Sequence, residues 1–522
     1  MSEHVLSIIV AAPFLAALLI MLVPGDRHGP IRVLGIVGSV VALLGSIYVA
    51  LNYDQARGGM QFAVVYPFVP RFGIDIRLAA DGWSVALLLL TGIIMTAGSL
   101  ASATLTNRPK EFYILLLVLV AGVFGVFVCQ DLFIFFLFYE IAVLPMYLLI
   151  GIWGSKGKVA PAGPFKAVWR DLDVGGKEYA AMKLTLMLLV GSAAILVGMF
   201  AIYFAAGAKN FDMLALAKTQ FPRDMQLWVF PMLWLGFGSL AGVFPFHTWS
   251  PDGHAAAPTA VSMLHAGVLM KLGAFGVMRV GMIILPEGAA AWAPVVGAVA
   301  ALNVIYGAVS AMSQKDLKYV IAYSSVSHMG VVMLGAATLD TDGWNGAVYQ
   351  MFAHGIMTGL FFALVGLIYE RAHSRWVPSM GGFAKVMPGV AAFFTLAGLS
   401  SLGMPGSAGF VAEFLVFAGA WKSGNILWAI PAMIGAWVTA VYVLRATKMI
   451  FWGEGPSHEF HDLHDAKRIE WGALWILGTC IVVFGCAPRL VLDFIGTATA
   501  EYLPAIVQAA KALGPVALEI VK

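Results

Sequence analysis

The chain carries fourteen apolar runs of membrane-spanning length, near residues 5–23, 31–51, 78–102, 112–130, 132–153, 180–206, 227–247, 257–284, 290–312, 318–338, 343–370, 388–421, 427–452 and 470–495. At ~1.5 Å of rise per residue, each can cross a hydrocarbon core of ~30 Å as a helix. Lipid offers the backbone no hydrogen-bond partner, so helices are the form that such runs take. The expected fold is an all-α polytopic membrane protein with about fourteen transmembrane helices. A composition of 61% hydrophobic and 11% charged residues excludes a soluble globule. The net charge of +3 is small, and the basic residues are spread over loops rather than gathered in a patch, which argues against nucleic acid as a partner.

Loop charge reports topology instead. With an even number of spans, both termini fall on one side. One set of loops holds Arg27, Arg32, Arg108, Lys110, Lys156, Lys158, Lys166, Arg170, Lys177, Lys315, Lys318, Arg371, Arg375, Lys385, Lys448, Lys467 and Arg468; the other holds Arg57, Arg71, Arg77, Lys209, Lys218, Arg223, Lys422 and a few in the tail. By the positive-inside rule the first set is cytoplasmic and both termini lie on the non-cytoplasmic side, in the inner membrane of a bacterium. The stretch Val5–Val23 follows no basic segment and ends in no small-residue cleavage site, so it reads as a retained first span. The longest hydrophilic insertion, Ser155–Glu178, reads as a cytoplasmic surface loop, and the tail at 500–521 as interfacial. Cys129, Cys480 and Cys486 have no metal-ligand or disulfide spacing and read as packing thiols.

Two spans look broken. The seventh, GSLAGVFPFHTWSPDGHAAAP, contains Pro245 and Pro251; the twelfth, AGLSSLGMPGSAGFVAEF, sets Pro405 between Gly403 and Gly406. Proline removes a backbone donor and clashes with the preceding turn, so both helices should unwind and free carbonyls that need partners. Interruptions five spans apart suggest two inverted repeats, spans 4–8 and 9–13. The chain then divides into a three-helix segment at 1–110, a first repeat at 111–285, a second at 286–453, and a last span with its tail at 454–522.

Ionisable residues lie deep in several of these spans. Glu140 sits about nine residues inside the run Leu132–Ile152. An acid at the bilayer centre costs ~2.5–3.5 kcal/mol on insertion scales, and a glutamine would serve a purely structural hydrogen bond as well. Lys271 is about fourteen residues into the run 257–284, too deep to reach either interface. His265 precedes it by six residues on the same helix, which at 100° per residue puts it about 120° away in direction and ~9 Å along the axis. His328 and His354 fall at similar depth in two further spans. Taken singly each reads equally as a structural hydrogen bonder, but their common depth favours a relay, since histidine titrates near physiological pH. Glu413 follows the Pro405 break by eight residues, near the centre of a broken but spanning helix. Lys183, near one end of its helix, reads first as an interfacial anchor, and Lys315, Asp316 and Lys318 as an ordinary charged loop. Ionisable groups at the midplane of several helices point to an ion path. The chain lacks a dinucleotide fingerprint, a phosphate loop and any CxxC or zinc spacing, so electron transfer is expected to occur in another chain.

The strings FPFHTWSPDGHAAAPTAVSMLHAGVLMKLGAFGVMRV, QKDLKYVIAYSSVSHMGVVMLG and SLGMPGSAGFVAEFLVF resemble the antiporter-like M subunit of the proton-pumping NADH:quinone oxidoreductase, respiratory complex I. The resemblance covers nearly the whole chain and is strongest over spans 4–13. It implies fourteen helices with the inverted repeat, and proton movement driven by quinone reduction elsewhere in the complex. It also implies membrane-arm neighbours on both sides. No cofactor is expected in this chain, whereas NAD, FMN, iron–sulfur clusters and quinone are expected in partner subunits. By motif, Glu140 looks like the glutamate of the fifth helix, Lys271 like the central lysine of the eighth, His328 and His354 like the relay histidines, and Glu413 like the terminal glutamate of the twelfth.

One departure matters. Where the family pattern K-x-P-x-x-P-x-H has its lysine, this chain has Leu240, and Gly242 replaces the first proline. The customary ion-pair partner of Glu140 is missing. His265, which also departs from the M type, or Lys183 is expected to supply the lost positive charge. Two other readings are a subunit of a multi-chain cation/proton antiporter or membrane-bound hydrogenase, and a structural spacer with an inactive channel, which Leu240 makes more plausible.

Overall fold

The structure, a computed structural model, describes residues 4–155, 176–424, 426–454, 460 and 463–513. Lys156, Lys158, Lys166 and Arg170 of the long loop, and the tail beyond residue 513, lie outside these. Among the described residues the long helices are α1 (Val5–Leu22), α2 (His28–Asn52), α3 (Gly82–Ala101), α4 (Pro109–Val128), α5 (Leu132–Trp153), α6 (Lys177–Ala205), the interrupted pair α7a (Arg223–Ala241) and α7b (Trp249–Ala256), α8 (Thr259–Met282), α9 (Pro286–Ser313), α10 (Leu317–Ala337), α11 (Thr341–Ala372), the interrupted pair α12a (Pro388–Ser401) and α12b (Ala408–Lys422), α13 (Ile426–Phe451) and α14 (Arg468–Cys486); the twelve unbroken ones and the last helix, Arg489–Leu513, make thirteen that are long and apolar enough to cross a membrane. Aspartates begin several of them. Asp131 caps α5 by accepting from Phe133 N and Ile134 N, both at 3.0 Å, and Asp340 caps α11 through Asp342 N at 2.9 Å.

The most apolar stretches of α8 and α11 are 100% inside the protein, against 33% for α2, α13 and α14. Charges placed on α8 and α11 therefore face other helices rather than lipid.

Both expected breaks occur, and protein groups satisfy each of them. α7a ends at Gly242 with φ of 78°, a left-handed cap that a residue without Cβ adopts freely. Asn303 of α9 then takes up the orphaned backbone: its Oδ1 accepts from Phe244 N at 2.9 Å, and its Nδ2 donates to Val326 O at 2.9 Å and Gly242 O at 3.3 Å. In the twelfth span the gap between Ser401 and Ala408 contains Gly403 and Gly406, both at positive φ, and the freed Ser401 carbonyl accepts from His328 Nε2 at 3.1 Å.

The chain is not purely helical. Gln61–Val69 (β1) and Ile74–Ala80 (β2) form an antiparallel hairpin with Val65 opposite Arg77 and Tyr66 opposite Ile76. The apolar run expected from residue 78 thus starts as a strand and turns helical only at Gly82, where Asp81 caps α3 through Ser84 N at 2.9 Å. A last helix, α15 (Arg489–Leu513), packs against the same face and is itself long and apolar enough to cross a membrane. Its Phe494, Thr499 and Tyr502 meet in turn Tyr53 at the end of α2, Trp83 at the start of α3, and Asp81. His4, next to the start of α1, bonds Tyr66 of the hairpin at 3.0 Å, so both ends of the described chain share the hairpin face. The basic loops lie on the opposite face.

Candidate functional site

The eighth span is not a regular α-helix. Residues His265–Leu269 and Val277–Met282 form π turns, which carry one extra residue per turn and re-aim the side chains beyond them. The angular offset expected for His265 and Lys271 assumed an unbroken α-helix and does not hold across this turn. Lys271 follows the first π turn, and its Nζ reaches back to donate to the carbonyl of Ala266, inside that turn. Lys271 is fully buried.

From Lys271 the predicted residues form a continuous row. Lys271 Nζ lies 2.7 Å from Nδ1 of His354 on α11. The His354 ring stacks on that of His328 on α10, with centroids 5.1 Å apart and planes 26° from parallel. His328 Nε2 is 3.5 Å from Glu413 Oε1 on α12b. Four residues from four helices, remote in sequence, thus stand one after the next at hydrogen-bond, ring-stacking or ion-pair distance. His328 is held at Nδ1 by the Ser324 carbonyl at 2.7 Å and at Nε2 by the Ser401 carbonyl at 3.1 Å. Each ring nitrogen faces a backbone carbonyl, so both hydrogen bonds form together only on the protonated ring and the neutral ring keeps one of them. His354 Nε2 is buried without a hydrogen-bond partner, a costly state that suits a site where a proton comes and goes.

On the other side of Lys271, His265 packs between Trp249 and His254 of α7b, with ring centroids 5.1 Å and 4.1 Å away. Both nitrogens of His254 and Nδ1 of His265 are buried and unpartnered. His254 was missed by sequence reasoning, although HTWSPDGH places it seven residues after His247 in the broken helix. His247 is buried too, with neither ring nitrogen bonded, against Phe244 and Tyr306.

Glu140 stands apart from this row. Ser192 of α6 is its polar neighbour, yet Oε1 of Glu140 and Oγ of Ser192 are both buried without a formed hydrogen bond. Among the described residues no ion pair includes Glu140. The expectation that Lys183 replaces its lost cation is not met: Lys183 Nζ pairs with Asp252 Oδ2 at 2.7 Å, and Tyr319 donates to the other oxygen of Asp252 at 2.9 Å. Lys183 is therefore neither a free interfacial anchor nor the partner of Glu140. His265 makes its ring contacts with Trp249 and His254 and no hydrogen bond to Glu140. Leu240, where the cation was expected, is 1% exposed and leaves an apolar gap.

The basic loop residues also need correction. Lys318 is 3% exposed and donates to Ala257 O at 2.6 Å, while Asp316 pairs with the buried Arg375 at 3.1 Å. A second buried ion pair, Arg279 Nη2 to Asp81 Oδ2 at 2.5 Å, ties α8 to α3 on the hairpin face, and Tyr502 of α15 donates to the same oxygen at 3.0 Å. Asp81 was passed over in the sequence because the run 78–102, taken as one span, enclosed it.

A sequence profile of the family described as NADH:quinone oxidoreductase/Mrp antiporter, TM, matches residues 173–439. NAD(P)H-quinone oxidoreductase chain 4 1 of Picosynechococcus sp. is 36% identical, the match covering 94% of this chain and 90% of that protein. NAD(P)H-quinone oxidoreductase chain 4 of Gloeobacter violaceus is 34% identical over 95% of this chain and 91% of its own length. Among solved structures, a chain of respiratory complex I from Thermus thermophilus with bound NADH superposes with a TM-score of 0.83 at 28% identity, covering 96% of this chain and 100% of that one. A chain of the Mrp complex from Dietzia sp. shares the fold, with a TM-score of 0.81 at 20% identity over 98% of this chain and 99% of that one.

Proposed function

We propose, since the chain belongs to the NADH:quinone oxidoreductase/Mrp antiporter family, that it is an antiporter-like membrane-arm subunit of a proton-translocating NAD(P)H:quinone oxidoreductase. It moves protons when quinone is reduced elsewhere in the complex and catalyses nothing alone. Its nucleotide, flavin, iron–sulfur and quinone chemistry belongs to partner subunits, and membrane-arm chains flank it on both sides. The basic loops face the cytoplasm of a bacterial cell and both termini the other side. Spans 4–8 and 9–13, within 111–285 and 286–453, act as two halves related by inverted topology.

The observation that carries this reading is the row Lys271–His354–His328–Glu413, each member in contact with the next. A proton on Lys271 can pass to His354, across the stacked rings to His328, and on to Glu413, which sits at 8% exposure beside the α12 break. Glu140, His265 and Lys183 belong to the half of the path leading to Lys271, where Glu140 senses charge and His265 bridges from His254. In sealed vesicles holding the assembled complex, Glu413→Gln and Lys271→Met are expected to lower the protons moved per NADH oxidised. Variants that assemble and pump at the normal ratio would remove the row from the mechanism.

A second reading, a structural spacer with an inactive channel, draws on Glu140, whose buried oxygen has no partner and no cation. It expects Glu140→Gln together with Lys271→Met to leave pumping unchanged.

A further inference from the structure

The row explains how a proton crosses the middle of the protein but gives Lys271 no connection to water. On the basic face a cleft of about 360 Å³ opens between the end of α3, the turn joining α7b to α8, and α10 and α11. Thr104, Asn107, Thr259, Lys318, Tyr369 and Glu370 line it beside apolar side chains such as Phe112 and Trp153, a mixed wall that carries polar and ionisable groups. A polar space of this size holds several waters. Lys318 forms part of its wall yet is 3% exposed, and of its three N–H donors one is placed, on Ala257 O at 2.6 Å.

Directly behind Lys318 lie the groups that lead inward. Ser262 Oγ is within hydrogen-bond distance of the same Ala257 carbonyl, at 3.2 Å, and of the His254 carbonyl, at 3.0 Å. The His254 ring, with both nitrogens buried and free, lies within electrostatic reach of Lys318, His265 and Lys271. Its centroid is 4.1 Å from that of His265. The fixed charges around Lys318 are Asp316 and Arg375, which pair with one another at 3.1 Å, so among the described residues no side chain is left to pair with Lys318.

We propose that this cleft is the water-filled mouth through which protons reach the buried row, and that Lys318 is its loading group. The inference rests on the proton-translocation reading above. An N–H bond of the Lys318 ammonium breaks as one forms on a ring nitrogen of His254, directly or through bridging water, and cleft water returns a proton to Lys318. His265 and Lys271 then receive the proton in turn.

The test uses the assembled complex in sealed vesicles with the basic face outward, reading protons moved per NADH oxidised. Lys318→Met is expected to lower this subunit's share of that ratio by ~10²-fold or more, the size of a lost general acid–base group. Lys318→Arg keeps a charge and a donor for Ala257 O but cannot release its proton, so it should assemble as the wild type and fail to pump. Restoration of pumping by Lys318→Arg would reduce Lys318 to a structural strut and overturn the proposal. Water access is read separately. In a Cys486→Ser background, Thr104→Cys should pump normally, react with a membrane-impermeant thiol reagent, and lose pumping once labelled. Absence of labelling, or labelling without effect, also overturns the proposal. Lys271→Met separates the two levels: if it stops pumping while Lys318→Met and labelled Thr104→Cys do not, the mouth lies elsewhere and the row stands. If Lys271→Met pumps normally, the row itself fails.

Discussion

Lys271 and His354 offer the sharpest test of the row. Their nitrogens are 2.7 Å apart in a fully buried setting. Two unit charges at that distance repel by ~6 kcal/mol even at an effective dielectric of 20, more than ~4 powers of ten in an equilibrium constant. The pair therefore holds one excess proton at a time, and a second can enter only as the first leaves toward His328. His354→Gln keeps a side-chain oxygen able to accept from Lys271 Nζ but cannot carry a proton onward. Its stability cost should stay near that of one altered hydrogen bond, ~0.5–1.5 kcal/mol. Assembly, thermal stability and quinone reduction in uncoupled membranes are thus expected to be close to wild type, while protons moved per NADH fall. The assay is a pH-indicator measurement in sealed vesicles beside NADH oxidation in the same sample. A wild-type ratio in His354→Gln would show that the 2.7 Å contact is structural and that the single-proton reasoning has no bearing on transport.

Other perturbations separate packing from transport. Arg279→Met leaves Asp81 buried and unpaired beneath Tyr502 and should cost ~3–5 kcal/mol, visible as earlier thermal unfolding of the solubilised complex. Adding Asp81→Asn to it should recover part of that loss, and a simple sum of the two single losses would contradict a direct pair. Leu240→Lys puts a cation on α7a near α5, whose contact is fixed by Tyr139 and Phe237 at 5.8 Å; it should be tolerated with Glu140 present and destabilise by several kcal/mol more in a Glu140→Gln background. Equal effects in both backgrounds would place Glu140 out of reach of that position. Asn303→Ala strips two hydrogen bonds from the α7 break and one from the Val326 carbonyl of α10, and should destabilise the complex by ~1–3 kcal/mol for each buried group left unsatisfied, read again as a fall in unfolding temperature.

The spans were legible because hydrophobic length is a local property, and the breaks because Pro245 and Gly403–Pro405–Gly406 act on their own backbone. Depth along a span was equally local, and it singled out Lys271, His354, His328 and Glu413, which the fold brings side by side. The hairpin was not found. Its strands QFAVVYPFV and IDIRLAA are apolar and run into a true helix, so the count of apolar residues hid a period-two alternation bounded by Pro70 and Gly73. Lys318 looked like a loop residue because its burial comes from α7b and α11, which sequence distance does not reveal. Lys183 looked like an anchor for the same reason: its partner Asp252 is 69 residues away. The π turns at His265–Leu269 and Val277–Met282 have no sequence signature of their own, and they decide where Lys271 points.

The two interrupted helices are used differently, and this bears on where transport is tightest. In α12 the carbonyl freed by the break is held by His328, a titratable side chain that also touches Glu413. Protonation there and backbone geometry at the break must change together. In α7 the freed groups go to Asn303, which has no proton to exchange, and the lysine position is filled by Leu240. Charge arriving at Glu140 therefore has no local cation to displace and must act across the apolar gap, where coupling falls with distance: two charges ~10 Å apart at an effective dielectric of 20 interact by ~1.7 kcal/mol, against ~4 kcal/mol at 4 Å. On the proposed mechanism the Lys271–Glu413 half is tightly coupled and the Glu140 half weakly so. Glu140→Gln should then lower this subunit's contribution to the pumping ratio by ~10- to 20-fold at most, while Lys271→Met abolishes that contribution. A Glu140→Gln defect as complete as that of Lys271→Met would mean that a cation from a neighbouring subunit closes the gap that Leu240 leaves.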